Sequence, residues 1–154
     1  MDAFRENKQI LKNPECTVHD IGDGVMCIEF QTKGNSIGEG IAKGINEAID
    51  IAEKDGWNGI VIGNNDKQFS VGANLMNMGM MAMQKNFDEI EKFLVGFQKI
   101  LMRMRTCNVP VVSATHGFVL GGGLEVSIHC DAGIHASESY IGLVEAGVGL
   151  IPGG

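Results

Sequence analysis

The sequence predicts an α/β domain, on three observations. The run Gly24 to Phe30, GVMCIEF, has the length and composition of a strand, and it follows the turn-like IGDG of residues 21–24. Ile37, Ile41, Ile45, Ile49 and Ala52 then recur every three or four residues, with Glu39, Lys43, Glu47 and Glu53 between them. That is the spacing of an amphipathic helix, ending near Gly56. The short apolar run Gly59 to Gly63, GIVIG, follows as a buried parallel strand, and strand, helix, strand is an α/β rhythm.

The remaining elements follow in order. Residues 64–73 are polar and then glycine-containing, and the methionine-rich stretch Leu75 to Met83 leads into a second amphipathic helix. Phe87, Ile90, Phe93, Leu94, Phe97, Ile100, Leu101 and Met104 share its apolar face. Gly96 weakens that helix by about 1 kcal/mol relative to alanine without overturning it. Pro110 to Ala114 reads as a third strand, the triplet Gly121-Gly122-Gly123 opens a helix to about Cys130, and Ala132 to Ala136 is a fourth short strand. There is no low-complexity linker, repeat or internal boundary, so residues 1–154 form one domain. The chain stops on a loop signal, Ile151-Pro152-Gly153-Gly154, which predicts a piece of something longer.

Composition excludes several classes. A formal charge of -7 argues against a nucleic-acid or anionic-membrane surface. Cys16, Cys27, Cys107 and Cys130 are scattered without a CxxC pair, which indicates neither a zinc ribbon nor a disulfide framework but thiols in a reducing compartment. His19, His116, His129 and His135 lack metal-ligand spacing, so no metal is expected. Ser70 and Ser113 lack the setting of a hydrolase nucleophile. The charged N-terminus MDAFRENKQILKN holds no signal-peptide core and no apolar run reaches the roughly 20 residues of a membrane span, which predicts a cytoplasmic protein.

Three glycine-rich stretches occur in order: Phe69 to Leu75 (FSVGANL), Gly117 to Glu125 (GFVLGGGLE) with Asp131 six residues on, and Gly142 to Gly153 (GLVEAGVGLIPG). Together they resemble the three signatures of the crotonase, or enoyl-CoA hydratase/isomerase, superfamily. The wider sequence looks most like the crotonase domains fused to bacterial 3-hydroxyacyl-CoA dehydrogenases. The resemblance implies a crotonase-like fold of repeated β-β-α units, here without the family's C-terminal helical part. It also implies an acyl-CoA thioester as substrate, no separate cofactor, and a homo-oligomer with a fused or associated 3-hydroxyacyl-CoA dehydrogenase domain.

Residue roles carry over position by position. The backbone N–H groups of Ala73 and Gly122 match the oxyanion hole for the thioester carbonyl. Gly122 sits where a helix begins, so its N–H has no intrahelical acceptor, and glycine lets a ligand approach. Glu125 and Glu145 match the glutamate pair that holds the water added across the α,β double bond. Helix geometry places Glu125 in the first turn after Gly122, and Glu145 is a charge in a largely apolar, glycine-interrupted stretch. Gly72, Asn74, Leu75, Gly121 and Gly153 are the expected substrate-binding neighbours, Gly153 matching a glycine whose N–H helps hold the water.

Two departures from the family pattern stand out: Asn74 replaces the usual Asp, and Val144 the common Pro before the second glutamate. Met76, Met78, Met80, Met81 and Met83 have two readings, an adaptable wall over an acyl chain or a helix packed into the core. Function also has alternatives. Hydration of 2-enoyl-CoA leads, double-bond isomerisation is its enzymatic rival, and a CoA-ester-binding or interaction module is the non-catalytic one.

Overall fold

The computed structural model describes residues 8–154, so the first seven residues of the charged N-terminal stretch lie outside the described residues. In chain order the elements are β1 (Gln9–Lys12), β2 (Cys16–Gly22), β3 (Val25–Phe30), α1 (Glu39–Asp55), β4 (Gly59–Gly63), α2 (Leu75–Met83) and α3 (Phe87–Thr106). They continue as β5 (Val111–Thr115), β6 (Phe118–Leu120), α4 (Gly122–Ile128), β7 (Ala132–His135) and β8 (Tyr140–Gly142), with short 3-10 turns at Lys33–Asn35 and Glu145–Val148. Six strands form one sheet in the order β1-β2-β3-β4-β5-β7. Its first three strands pair antiparallel, and β3, β4, β5 and β7 pair parallel. Parallel neighbours need crossover connections, which the helices supply.

The expected β-β-α repeat is present. After β5 the chain leaves the main sheet as β6 before entering α4, and after β7 it leaves the sheet as β8 before the second 3-10 turn. The parallel pair β6-β8 is extended by isolated bridges from Ser70 to Val119 and from Ile37 to Ala73. A second, narrow ladder thus runs beside the main sheet and strings the three glycine-rich stretches together.

The core lies between the sheet and the helices. On α1 the residues Ile41, Ile45, Ala48, Ile49 and Ala52 are all buried, with Val18, Ile28, Ile60 and Ile62 in the same cluster. Each buried isoleucine contributes about 2 kcal/mol by area. Gly56 ends the helix at φ 73, the left-handed conformation glycine adopts without strain. Helix α3 lies against α1 through Phe97, Leu101 and Met104, clamped by Arg103 to Asp50 at 2.5 Å and to Asn46.

The methionine stretch forms a helix of its own in which no residue is buried, with Met76, Met80 and Met83 exposed, so the core-packing reading does not hold. None of the four cysteines is in a disulfide. Burial pushes the Cys16 thiol up to about 11 and the Cys130 thiol up to about 12, which keeps both neutral. No described helix is long and apolar enough to cross a membrane.

Candidate active site

The first glycine-rich stretch is tied down from two sides. Toward residues 34–37, Val71 N donates to Gly34 O (3.1 Å), Ile37 N to Gly72 O (2.8 Å) and Asn74 N to Ile37 O (3.3 Å). Toward β6, Ser70 N donates to Phe118 O and Leu120 N to Ser70 O, both at 3.0 Å. The buried Ser70 hydroxyl donates to Asn35 O (2.7 Å) and accepts from Gly72 N (3.1 Å). Because Gly72 O and Asn74 N both face Ile37, the Ala73 N–H faces the other way. It has no acceptor among the described residues.

On that other side is the start of α4. Gly72 has φ +90, and a Cβ there would sit 2.8 Å from Leu120 O and 3.1 Å from Gly122 N. Any side chain at this position would drive the two backbones apart. A Cβ on Gly122 would lie 3.4 Å from Ala73 N, so the two amides are neighbours, and the Gly122 N–H also lacks an acceptor among the described residues. Helix α4 has only seven residues, so the unsatisfied N–H itself, rather than an extended dipole, is what it offers an anion.

Glu125, three residues along α4, is 3% exposed, and its Oε1 accepts a hydrogen bond from Gly154 N at 2.7 Å. The β6-β8 pairing, completed by Gly121 N donating to Gly142 O at 2.9 Å, lays the third stretch on the second. Glu145 therefore begins its 3-10 turn beside Gly121, where a Cβ would fall 2.6 Å from Oε1. Its Oε2 is buried without a partner among the described residues. Such an oxygen is costly to leave unsatisfied, and a bound water or ligand would satisfy it.

One cavity of about 290 Å³ collects Gly72, Ala73, Leu75, Gly121, Gly122, Glu125, Glu145 and Gly153. Asn74 is not among its lining residues. Its side chain caps α2 by accepting from Asn77 N (3.2 Å), and it borders a neighbouring polar cavity of about 210 Å³. Gly153 lines the site, but its carbonyl accepts from Gln98 Nε2 (2.6 Å), and the backbone donor at Glu125 is Gly154. Phe93, Leu94 and Phe97 also line the cavity, although their spacing reads only as an apolar helix face. Asp131 serves the sheet instead, accepting from Val111 N at 2.8 Å.

The histidines are occupied elsewhere: His19 with Glu29 (3.3 Å), His116 with Asp66 O (2.7 Å), His129 with Glu125 O (2.8 Å) and His135 with Thr115 (2.6 Å). No cluster that could hold a metal ion occurs among the described residues. The arrangement is two unsatisfied N–H donors and two carboxylates around an apolar hollow. It can polarise a carbonyl oxygen and move protons beside it.

Residues 20–154 match the family described as Enoyl-CoA hydratase/isomerase. The chain is 41% identical over 155 residues to the Bacillus subtilis (strain 168) protein named "Probable 3-hydroxyacyl-CoA dehydrogenase", a match that takes in 100% of this chain and 20% of the relative. It is 36% identical over 94 residues to the short-chain-enoyl-CoA hydratase of Clostridium acetobutylicum, 61% of this chain and 34% of that one. The structure of an enoyl-CoA hydratase from Polaromonas sp. JS666 has the same fold, with a TM-score of 0.84 at 22% identity over 89% of this chain and 54% of that chain. The chain spans about a fifth of the length of the first curated relatives it matches.

Proposed function

Because the chain belongs to the enoyl-CoA hydratase/isomerase family, we propose that it carries the thioester-binding core of an enoyl-CoA hydratase, which adds water across the 2,3 double bond of a 2-enoyl-CoA. The observation behind this reading is that both glutamates share one cavity with both unsatisfied amides. The thioester oxygen would accept hydrogen bonds from Ala73 and Gly122. As the water oxygen bonds to C3, the π electrons of the double bond move toward C2 and through C1 onto the thioester carbonyl oxygen, where the two N–H groups stabilise the developing charge. One such donor is worth about 3 to 4 kcal/mol in other enzymes. Glu125 orients the water and accepts its proton, and Glu145 delivers a proton to C2 as the carbonyl re-forms.

The substrate is then an acyl-CoA thioester, and the chemistry calls for no further cofactor. The product carries a 3-hydroxyl, the group a 3-hydroxyacyl-CoA dehydrogenase oxidises, which suits a fused or associated domain of that kind and the name of the Bacillus subtilis relative. A homo-oligomer in the cytoplasm completes the reading; four cysteines outside any disulfide suit a reducing compartment.

The test is to follow the ultraviolet absorbance of the conjugated thioester and identify products by chromatography. Hydration predicts loss of 2-enoyl-CoA with formation of 3-hydroxyacyl-CoA. Conversion of 3-enoyl-CoA to 2-enoyl-CoA without hydration would overturn the reading in favour of an isomerase. Binding of CoA esters with neither reaction would leave a binding module.

A further inference from the structure

The cavity holding the carboxylates has a larger neighbour, an open groove of about 520 Å³ between α1 and α3. Phe93 and Phe97 line both. Their rings are stacked, with centroids 6.4 Å apart and planes within 4°. Phe97 is 6% exposed, and its Cζ lies 3.5 Å from where a Cβ on Gly122 would be, so it belongs to the packing under the amide. Phe93, one turn earlier, is only half-buried and stands between the two hollows. Behind it, Ala42, Gly96 and Ile100 line the groove together with Asn46 and Glu39, and the exposed Lys43, Lys92 and Lys99 stand at its rim. A Cβ added at Gly96 would meet nothing within 4 Å.

We infer that Phe93 limits the length of the acyl tail the site accepts. This rests on the hydratase reading for its substrate class. The site cavity is at the small end of the range for ligand pockets. A tail that extends past the reacting carbons toward α3 runs into the Phe93–Phe97 pair, and removal of the Phe93 ring joins the cavity to the groove. Each methylene buried there improves transition-state binding about fourfold, so four of them give a gain on the order of 10²-fold. Lysine stems at the rim can cover the tail while their ammonium groups stay in water.

The experiment is kcat/KM over straight-chain 2-enoyl-CoA substrates for the wild type, Phe93→Ala, Gly96→Met and the double variant, each checked for a cooperative melt. The ratio of twelve-carbon to four-carbon activity should rise on the order of 10²-fold in Phe93→Ala. Adding Gly96→Met should fill the groove and return the ratio toward wild type, whereas Gly96→Met alone should leave it unchanged. If Phe93→Ala does not fold, Phe93→Leu should give a smaller rise in the same direction. An unchanged ratio in a folded Phe93 variant overturns the proposal. So does a rise that Gly96→Met does not reverse, since the tail would then have gone elsewhere, for instance into the polar cavity that Phe93 also borders. Absence of turnover by the wild type at every length would defeat the hydratase reading instead. The length limit is then read by calorimetry from the affinities of saturated acyl-CoAs, with the same expected and contradicting ratios.

Discussion

Residues 69–75 and residues 142–154 face each other across the cavity, the first hydrogen-bonded along both edges over a buried core, the second lying largely on the surface. Phe69 and Ser70 are fully buried, whereas Val148 is 63% and Ile151 85% exposed. The first side is the one whose proposed task requires a fixed geometry. Donors that stabilise a developing oxyanion act only if held in place before the reaction.

The largest expected effect comes from breaking the fixed side. Gly72→Ala places a Cβ against Leu120 O and Gly122 N at positive φ, so it should both strain the fold and displace a donor. Loss of one oxyanion donor lowers kcat by about 10²- to 10³-fold, and steady-state kinetics with a melting curve separate the two consequences. Beneath that side, Ile45→Ala removes a buried α1 side chain and should cost about 2 to 5 kcal/mol, read from denaturant unfolding.

Legibility in the sequence follows the same division. Helix α1 and strands β4 and β5 could be read because burial there matches the simple periods of helix and strand. Strands β1 and β2 were not, since β2 buries Thr17 and His19, polar residues that blur the apolar pattern. Strands β6 and β8 have three residues each and carry no periodicity. Of the site, the glycines and both glutamates stood out as motifs. Gly154 as the donor to Glu125 depends on how distant segments meet, which local spacing does not encode, whereas the Asn74 cap is a local contact with Asn77 N, an Asn-before-helix signal that the family motif overshadowed. Phe93 and Phe97 looked like any apolar helix face, and only the packing of α3 shows that they border the cavity.

Two milder changes test the open side. Val144→Pro removes no backbone hydrogen bond among the described residues but needs φ to move from -96 toward proline's range. It should change stability by less than about 1 kcal/mol, measured by thermal unfolding. Ile151→Ala repeats the chemistry of Ile45→Ala at an exposed position and should stay within about 0.5 kcal/mol of wild type. A cost close to that of Ile45→Ala would erase the contrast between the two sides.

The central claim is that Glu125 and Glu145, brought from α4 and the 3-10 turn to one cavity, act on one water. Its most direct test is kcat for hydration in Glu125→Gln, Glu145→Gln and the double variant, together with affinity for a non-reactive acyl-CoA. Each single change should lower kcat by about 10²- to 10⁴-fold with little change in affinity, because the Ala73 and Gly122 amides remain. The double variant should lose far less than the product of the single losses, as groups that work as a unit do. Near-wild-type hydration by Glu145→Gln, with Glu125→Gln inactive, would contradict the account.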